Sequence, residues 1–285
     1  MRVLVTGGTG MLGSTLVPVL KAAGHYVVTQ SRNSGGACSA DLTDFQATMS
    51  MLKETRPECI VNLVAQTNVN SCEADLHSAY LLNVRTVENL AAAIRQYENI
   101  HLIQISTDQV YDGVGLSKED EVRMTNNYAI TKYAGEIAAT MVQGTVLRTN
   151  FFGPSALVGR LSFSDWLLKN LREHIPFNAF SDVIINPLSM ATLSLMINKV
   201  IQTPVAGVFN LGSQNPLSKA DFAFQVANTF GLEATHMRMG SVDALGLPAR
   251  RPKDMSMDCA LFSHTFGVSL PSLKHEIQTL KVESV

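Results

Sequence analysis

Three glycines near the start of the chain constrain its fold more than any other feature. Gly7, Gly10 and Gly13 follow the apolar run Val3–Val5, and a new apolar period begins among them at Leu12. This order indicates a strand, a tight turn and a helix. Glycines allow a sharp turn, a close approach of backbone to a pyrophosphate, and tight packing of the helix on the strand, while the helix N-terminus attracts an anion. The stretch therefore predicts a dinucleotide site.

The rest of the chain extends this pattern. Short apolar strands alternate with amphipathic helices as far as about Thr149, which predicts an α/β fold with a Rossmann-type, doubly wound parallel sheet. Prolines punctuate the later sequence, so we expect it to supply loops and small helices over the strand ends. We predict a dinucleotide-binding domain over residues 1–150 and a smaller C-terminal substrate-binding lobe over residues 151–285, with some return to the main sheet.

Composition excludes several functional classes. Of the 285 residues 46% are hydrophobic and 16% charged, and the net charge of −2 provides no attraction for nucleic acid or an anionic membrane. No apolar run is long enough to span a bilayer, and the chain enters its first strand without room for a signal peptide. The 4 cysteines and 7 histidines lack disulfide or metal-ligand spacing. We expect reduced thiols, no metal and a cytoplasmic protein.

The residues after the second predicted strand bear on the choice of cofactor. This strand covers residues 26–30 and is followed by Ser31 and Arg32. An acidic residue at this point commonly holds the ribose hydroxyls of NAD, whereas a basic residue accommodates the 2′-phosphate of NADP. A hydroxyl beside a guanidinium therefore favours NADPH and leaves NADH open.

Candidate catalytic residues follow the fourth predicted strand, residues 101–105. Thr107 stands just after it, and about twenty residues later Tyr128 and Lys132 share one helix face at i and i+4. A tyrosine can protonate a carbonyl oxygen, but its ordinary pKa of about 10 is poorly matched to neutral pH. A neighbouring lysine ammonium lowers that pKa. Lys132 can also bond the nicotinamide ribose, and Thr107 can hold the carbonyl oxygen.

The first motif resembles the extended branch of the short-chain dehydrogenase/reductases. Its Thr-Gly-x-x-Gly-x-x-Gly spacing begins at Thr6, and the later Asp41-Leu42-Thr43-Asp44 also has a counterpart in that branch. The resemblance implies that Asp41 meets the adenine amino group and Leu42 the adenine face. From the local sequence we also predict that Thr43 or Asp44 caps the next helix.

Seven motifs extend the resemblance along most of the chain, to the dTDP-4-dehydrorhamnose reductase family. They are VLVTGGTGMLG, DLTD, IVNLVAQTNVNSCE, ISTDQVYDG, NNYAITKYAGE, VLRTNFFG and RRPKDMSMD.

The resemblance implies reduction of the 4-keto group of a nucleotide-linked 4-keto-6-deoxy sugar. The implied cofactor-binding residues, besides the glycines and the residues after the second strand, are Met11, Leu12, Asp41, Leu42, Ala65, Gln66, Thr67, Tyr128, Lys132 and Phe151. The implied substrate-binding residues are Thr107, Asp108, Gln109, Asn150 and Arg251.

Two further elements are predicted from the sequence: a strand over residues 59–64 that ends before Ala65, and a long helix over about residues 74–97. A homodimer through surface helices is common in this fold.

Departures from the family pattern leave alternatives open. Gln109 stands where tyrosine is common and Asn150-Phe151 where Ser-Trp or Ala-Trp is frequent, so the sugar and the nucleotide are not fixed. A 4,6-dehydratase would need a glutamate in place of Gln109, and a 4-epimerase retains NAD, against which Arg32 argues. The regulatory beta subunit of methionine adenosyltransferase has the same fold and binds NADP, so a non-catalytic partner protein stays an alternative.

Overall fold

The structure is a computed structural model that describes residues 1–33, 35–97 and 99–283. The chain forms two compact units, each assembled from separate stretches. Unit 1 contains residues 1–107, 126–148 and 194–209; unit 2 contains residues 108–125, 149–193 and those from 210 onward. The compact units alternate along the chain and do not coincide with residues 1–150 and 151–285. That residues 1–150 bind the cofactor and residues 151–285 the substrate stays a prediction.

The described residues form β-strands and α-helices along the whole chain. The strands are β1 (Arg2–Thr6), β2 (Tyr26–Ser31), β3 (Cys38–Ser39), β4 (Cys59–Asn62), β5 (His101–Ile105), β6 (Gly144–Thr149), β7 (Phe151–Phe152), β8 (Phe177–Phe180), β9 (Ile184–Ile185), β10 (Leu188–Ser189), β11 (Gly207–Leu211), β12 (Leu217–Ser218) and β13 (Met237–Gly240). The α-helices are α1 (Met11–Ala22), α2 (Phe45–Thr55), α3 (Val69–Ala74), α4 (Leu76–Tyr80), α5 (Thr86–Ile94), α6 (Asn127–Thr140), α7 (Phe163–Arg172), α8 (Met190–Gln202), α9 (Lys219–Phe230), α10 (Ala260–Phe266) and α11 (Leu273–Glu283).

A seven-stranded sheet forms the framework of unit 1. Its order is β11-β6-β5-β4-β1-β2-β3, and each pairing from β6 to β3 is parallel. The chain leaves β1 toward β2 on one side and later returns to β4 on the other, so a topological switch point lies between β1 and β4. Ligands of open α/β sheets bind outside the carboxyl ends of the strands at such a point. The predicted α/β fold with a parallel sheet is confirmed.

The predicted strand boundaries are close to the observed ones. The fourth predicted strand matches β5, β2 extends one residue beyond its prediction, and β4 ends at Asn62, two residues before the predicted end. Asp44 caps α2, since its carboxylate accepts a hydrogen bond of 2.7 Å from the backbone of Ala47. That cap confirms the local interpretation of the Asp-Leu-Thr-Asp motif.

The predicted long helix over residues 74–97 is wrong in detail. Asp75 separates α3 from α4, because its side chain accepts a bond of 2.9 Å from the Ser78 backbone and starts a new helix. Between α4 and α5 the chain forms one wider, π-helical turn, Leu81–Arg85. Such turns often mark sites where a helix must present a particular side chain.

Unit 2 has a core of its own. The rings of Phe152 and Phe222 meet edge to face at 5.0 Å between centroids, and apolar residues of α7, α9 and α11 pack around them. Short two-stranded pairings, β7 with β10, β8 with β13 and β9 with β12, connect distant parts of this unit. Among the helices of the described residues, none has the length and apolar character that crossing a membrane requires.

Candidate active site

The glycine turn after β1 has the geometry that its spacing predicts. Gly7 adopts φ +66°, and a Cβ atom there would also crowd Val64, whose nearest atoms would be 3.2 Å away. A Cβ atom on Gly13 would lie 2.4 Å from the carbonyl oxygen of Gly8, so only glycine lets α1 start this close to the turn. The N-terminus of α1 therefore lies beside the carboxyl end of β1 with little side-chain bulk around it.

Buried polar side chains tie together the carboxyl ends of three neighbouring strands. The Thr6 hydroxyl donates to Oδ1 of Asn62 at 2.6 Å, and Nδ2 of Asn62 donates to Oε1 of Gln104 at 2.7 Å. Buried polar groups that are fully hydrogen-bonded rigidify their surroundings. The edge of the sheet at the switch point is thereby held in a fixed arrangement.

The residues predicted to hold the adenosine half lie beyond β2. Ser31 ends the strand and its hydroxyl donates to the carbonyl of Asn33, while Arg32 is exposed. Hydrogen bonds from Thr43, and more weakly the charge of Arg32, lower the pKa of the Asp41 carboxyl. Leu42 is buried in the core of unit 1, so any contact it makes with a ligand would be through a small exposed edge.

The loop after β4 is fixed by Asn83, a residue to which the sequence analysis assigned no role. Asn83, on the π-helical turn, accepts a bond of 2.8 Å from the backbone of Gln66 and donates to its carbonyl at 3.2 Å. It also donates to the Thr131 hydroxyl on α6 at 3.0 Å. Ala65 and Gln66 are half-buried and Thr67 is exposed. Asn83 thus connects the predicted cofactor loop to the helix that carries Tyr128 and Lys132.

Lys132 brings α6 to the end of β5. Its ammonium donates a hydrogen bond of 2.7 Å to the carbonyl of Ile105, two residues before Thr107. Thr107, Tyr128 and Lys132 are all buried in unit 1. Burial lowers the pKa of Lys132 to about 8, although the nearby carboxylate of Glu136 opposes the shift. A lysine that titrates near neutral pH is typical of a functional site.

Glu136 lies one helical turn beyond Lys132 and is a second residue that the sequence analysis missed. Its carboxylate forms an ion pair with Arg148 of β6. Oε2 of Glu136 accepts hydrogen bonds from Nη2 of Arg148 at 2.7 Å and from Nε of Arg148 at 3.0 Å. The hydroxyl of Ser106, at the end of β5, donates to the other oxygen. The motif in which Tyr128 and Lys132 were recognised contains Glu136 at i+4 from the lysine, and this spacing was the signal available for it.

Two predicted substrate residues, Asp108 and Asn150, are joined by a hydrogen bond within unit 2. Asp108 is buried, and its Oδ2 accepts a bond of 2.7 Å from the side-chain amide of Asn150. Phe151, a predicted cofactor residue, is half-buried and begins β7, and Gln109 lies on a short 3₁₀ turn, Asp108–Val110.

Arg251 belongs to the same unit. It is half-buried, and its Nη1 donates to the carbonyl of Ala249 at 2.8 Å. The positive charge of Arg251 lowers the pKa of Lys219, and the negative charge of Asp108 raises it. The sequence analysis assigned no role to Lys219. Lys219 lies far from both in sequence, so no local motif could have revealed this cluster.

The fold and these residues define a class, an α/β protein of Rossmann type with a tyrosine and a lysine on one helix beside the sheet edge. The family described as "RmlD substrate binding domain" matches residues 1–284, and the chain belongs to this family.

Individual relatives support the same assignment. The dTDP-4-keto-6-deoxy-D-glucose reductase of Streptomyces niveus is 30% identical over 262 residues, covering 88% of this chain and 86% of the relative. The probable low-salt glycan biosynthesis reductase Agl14 of Haloferax volcanii is 29% identical over 296 residues, covering 99% and 97%. The crystal structure of a dTDP-4-dehydrorhamnose reductase from Clostridium acetobutylicum superposes with a TM-score of 0.89 at 25% identity, covering 99% of both chains.

Proposed function

We propose that this protein is an NADPH-dependent reductase of the 4-keto group of a nucleotide-linked 4-keto-6-deoxy sugar. The observation that carries the proposal is the placement of Lys132. Its ammonium is buried at the end of β5, one helical turn from Tyr128, and bonds a carbonyl two residues before Thr107. Membership of the RmlD family supports the same reaction.

The residues present fit a dinucleotide. The glycines of the turn carry no side chains, so the N-terminus of α1 is open to a pyrophosphate, which backbone N–H groups would hold. Ser31 and exposed Arg32 would hold a 2′-phosphate, and Asp41 the adenine. The remainder of the dinucleotide would be lined by Ala65, Gln66, Thr67, Met11, Leu12 and Phe151. When bound, NADPH supplies the hydride that reduces C4.

The protein's own groups would handle the proton. Tyr128 would donate its phenolic proton to the oxygen of the reduced carbonyl, and the ammonium of Lys132 would favour the phenolate that results. Thr107 would hydrogen-bond the same oxygen and fix its position. Asp108, Gln109, Asn150 and Arg251 would bind the sugar nucleotide. By analogy with the family, we further infer a cytoplasmic homodimer.

The decisive experiment follows NADPH oxidation by absorbance with a panel of dTDP-, UDP- and GDP-linked 4-keto-6-deoxy sugars. Turnover of one panel member, with the 4-hydroxyl product identified by NMR, would establish the reaction and name the nucleotide. Tight binding of NADPH without oxidation by any panel member would contradict the proposal and favour a partner-binding protein of the same fold.

A further inference from the structure

Two aromatic side chains at the start of α7 form a partly open platform in unit 2. The rings of Phe163 and Trp166 stack at 6.2 Å between centroids with an interplanar angle of 19°. Their other neighbours are core rings: Phe222 lies 5.6 Å from Phe163, and Phe177 lies 5.3 Å from Trp166. Phe163 nevertheless stays 38% exposed and Trp166 40% exposed. The platform is anchored on the core, and part of each of its two side chains stays accessible to solvent.

Lys219 reaches over this platform. Its ammonium lies 5.8 Å from the centroid of the Phe163 ring. Its backbone is fixed at the start of α9, because its N–H donates to the carbonyl of Val183 at 2.8 Å and the preceding Ser218 caps the helix. The fold therefore sets the point from which the Lys219 side chain extends toward the Phe163 ring.

The charges around Lys219 are not balanced by a bonded partner. Burial lowers the pKa of Lys219, the charge of Arg251 lowers it further, and only Asp108 acts in the opposite sense. Asp108 already accepts a hydrogen bond from Asn150. Within the part of the chain that the structure describes, the Lys219 ammonium forms no hydrogen bond or ion pair. A partly buried cation in this state is stabilised by an anion that binds to it.

A cation over an aromatic platform matches one kind of ligand. Nucleobases stack on aromatic rings irrespective of base identity, and phosphate oxygens pair with lysine ammonium groups. A surface carboxylate partner would use the cation but not the rings, and an apolar partner would use the rings but leave the cation desolvated. A nucleoside diphosphate uses both.

We propose that Lys219, Phe163 and Trp166 form the subsite for the nucleoside diphosphate part of the substrate, with the diphosphate at Lys219 and the base on the aromatic pair. This inference rests on the proposed function only in the identity of the ligand as a sugar nucleotide. Lys219 then acts as a binding residue that determines affinity for the nucleotide and takes no part in proton or hydride transfer.

The chain contains 1 tryptophan, so the intrinsic fluorescence of Trp166 reports on this subsite directly. Titration with dTDP, thymidine and inorganic pyrophosphate separates the base from the diphosphate. We expect dTDP and thymidine to change the fluorescence, and pyrophosphate to compete with dTDP. Lys219→Met should weaken dTDP binding by at least about tenfold, because a charge-assisted bond is lost, while Lys219→Arg should restore most of it.

Lys169→Met is the matched control, because it removes one exposed positive charge from the same helix as Trp166. It should leave dTDP affinity unchanged. In turnover assays, the loss caused by Lys219→Met should appear in KM for the sugar nucleotide, and the Kd for NADPH should not change. Far-UV circular dichroism verifies that each variant is folded, and the wild-type titration requires no variant.

The outcomes separate this inference from the proposed function. Absence of any fluorescence response to dTDP in the wild type, or equal dTDP affinity in wild type and folded Lys219→Met, would overturn the subsite even if the sugar is reduced. Conversely, Lys219-dependent dTDP binding without reduction of any 4-keto sugar would support the subsite and contradict the proposed reaction.

Discussion

Arg148 and Glu136 form an ion pair inside unit 1, with Nη2 and Oε2 2.7 Å apart and their side chains only 3% and 2% exposed. Glu136 lies on α6, Arg148 on β6, and Ser106 at the end of β5 donates to the same carboxylate. One buried carboxylate thus joins the helix of Tyr128 and Lys132 to two strands of the sheet.

The first prediction concerns stability. Glu136→Gln leaves the Arg148 guanidinium buried without its counter-charge, so the free energy of unfolding should fall by about 3–5 kcal/mol. Chemical denaturation followed by circular dichroism measures the change. Glu88→Gln is the control, since it breaks the exposed pair with Arg85 at 3.1 Å and should cost less than about 1 kcal/mol. Equal losses in the two variants would contradict the role of the buried pair.

Lys132 should set the alkaline limit of activity. Its pKa is lowered to about 8, so the ammonium is charged below that pH and lost above it. We expect kcat/KM to fall as the pH rises through about 8. Glu136→Gln removes the carboxylate that raises the pKa of Lys132, so the alkaline limb should move to lower pH. A pH profile that does not shift in the folded variant would refute this link.

Tyr128 should affect the rate far more than it affects cofactor binding. Tyr128→Phe removes only the hydroxyl, and loss of a general acid costs about 10²–10⁴-fold in rate. We expect kcat to fall by this factor while the Kd for NADPH, measured by its fluorescence, changes less than about threefold. Undiminished turnover in Tyr128→Phe would show that another group supplies the proton.

Arg32 should discriminate between the two nicotinamide cofactors. Its charge is close enough to Asp41 to lower that carboxyl's pKa, which places it beside the predicted adenosine site. Arg32→Asp replaces a phosphate partner with a repelling charge, so the affinity for NADPH should fall at least about tenfold more than that for NADH. Parallel titrations with both cofactors test this, and Arg32→Gln separates lost attraction from added repulsion. Equal effects on both would mean that Arg32 does not contact the 2′-phosphate.

Gly13 should tolerate no side chain. The Cβ atom of Gly13→Ala would lie 2.4 Å from the Gly8 carbonyl oxygen, which is backbone and cannot rotate away. We expect a loss of about 1–3 kcal/mol in the free energy of unfolding and weaker NADPH binding. Gly240→Ala is the control, because among the described residues no heavy atom, apart from those of its two chain neighbours, lies within 4 Å of its Cβ position. A Gly13→Ala protein as stable as this control would contradict the close-packing argument.

Local patterns in the sequence were sufficient for part of the structure. The glycine turn, the strands and the Tyr128–Lys132 spacing depend on residues a few positions apart, so periodicity and turn chemistry reveal them. The break in the predicted helix at Asp75 also had a local signal, a capping aspartate, but the continuous apolar period obscured it.

Other features depend on residues that are distant in sequence. The π-helical turn lets Asn83 bond both Gln66 and Thr131, and a Cβ atom on Gly135 would lie 2.3 Å from the Asn83 carbonyl oxygen. Asn83 is 17 positions from Gln66 and 48 from Thr131, so local periodicity does not reveal that these residues bond. The same holds for Lys219 and Phe163, which are 56 positions apart in the printed sequence and meet only in the fold.

The interleaving of the two units has a consequence for how such a gene can change. Thr107 and Asp108 are adjacent in the chain but belong to different units, and the six stretches require five crossings. A single recombination breakpoint, such as one after residue 150, would divide both units, because residues 194–209 belong to the first and 108–125 to the second. A chimaera with one breakpoint therefore contains parts of both units from each parent, and exchange of one whole unit requires five breakpoints.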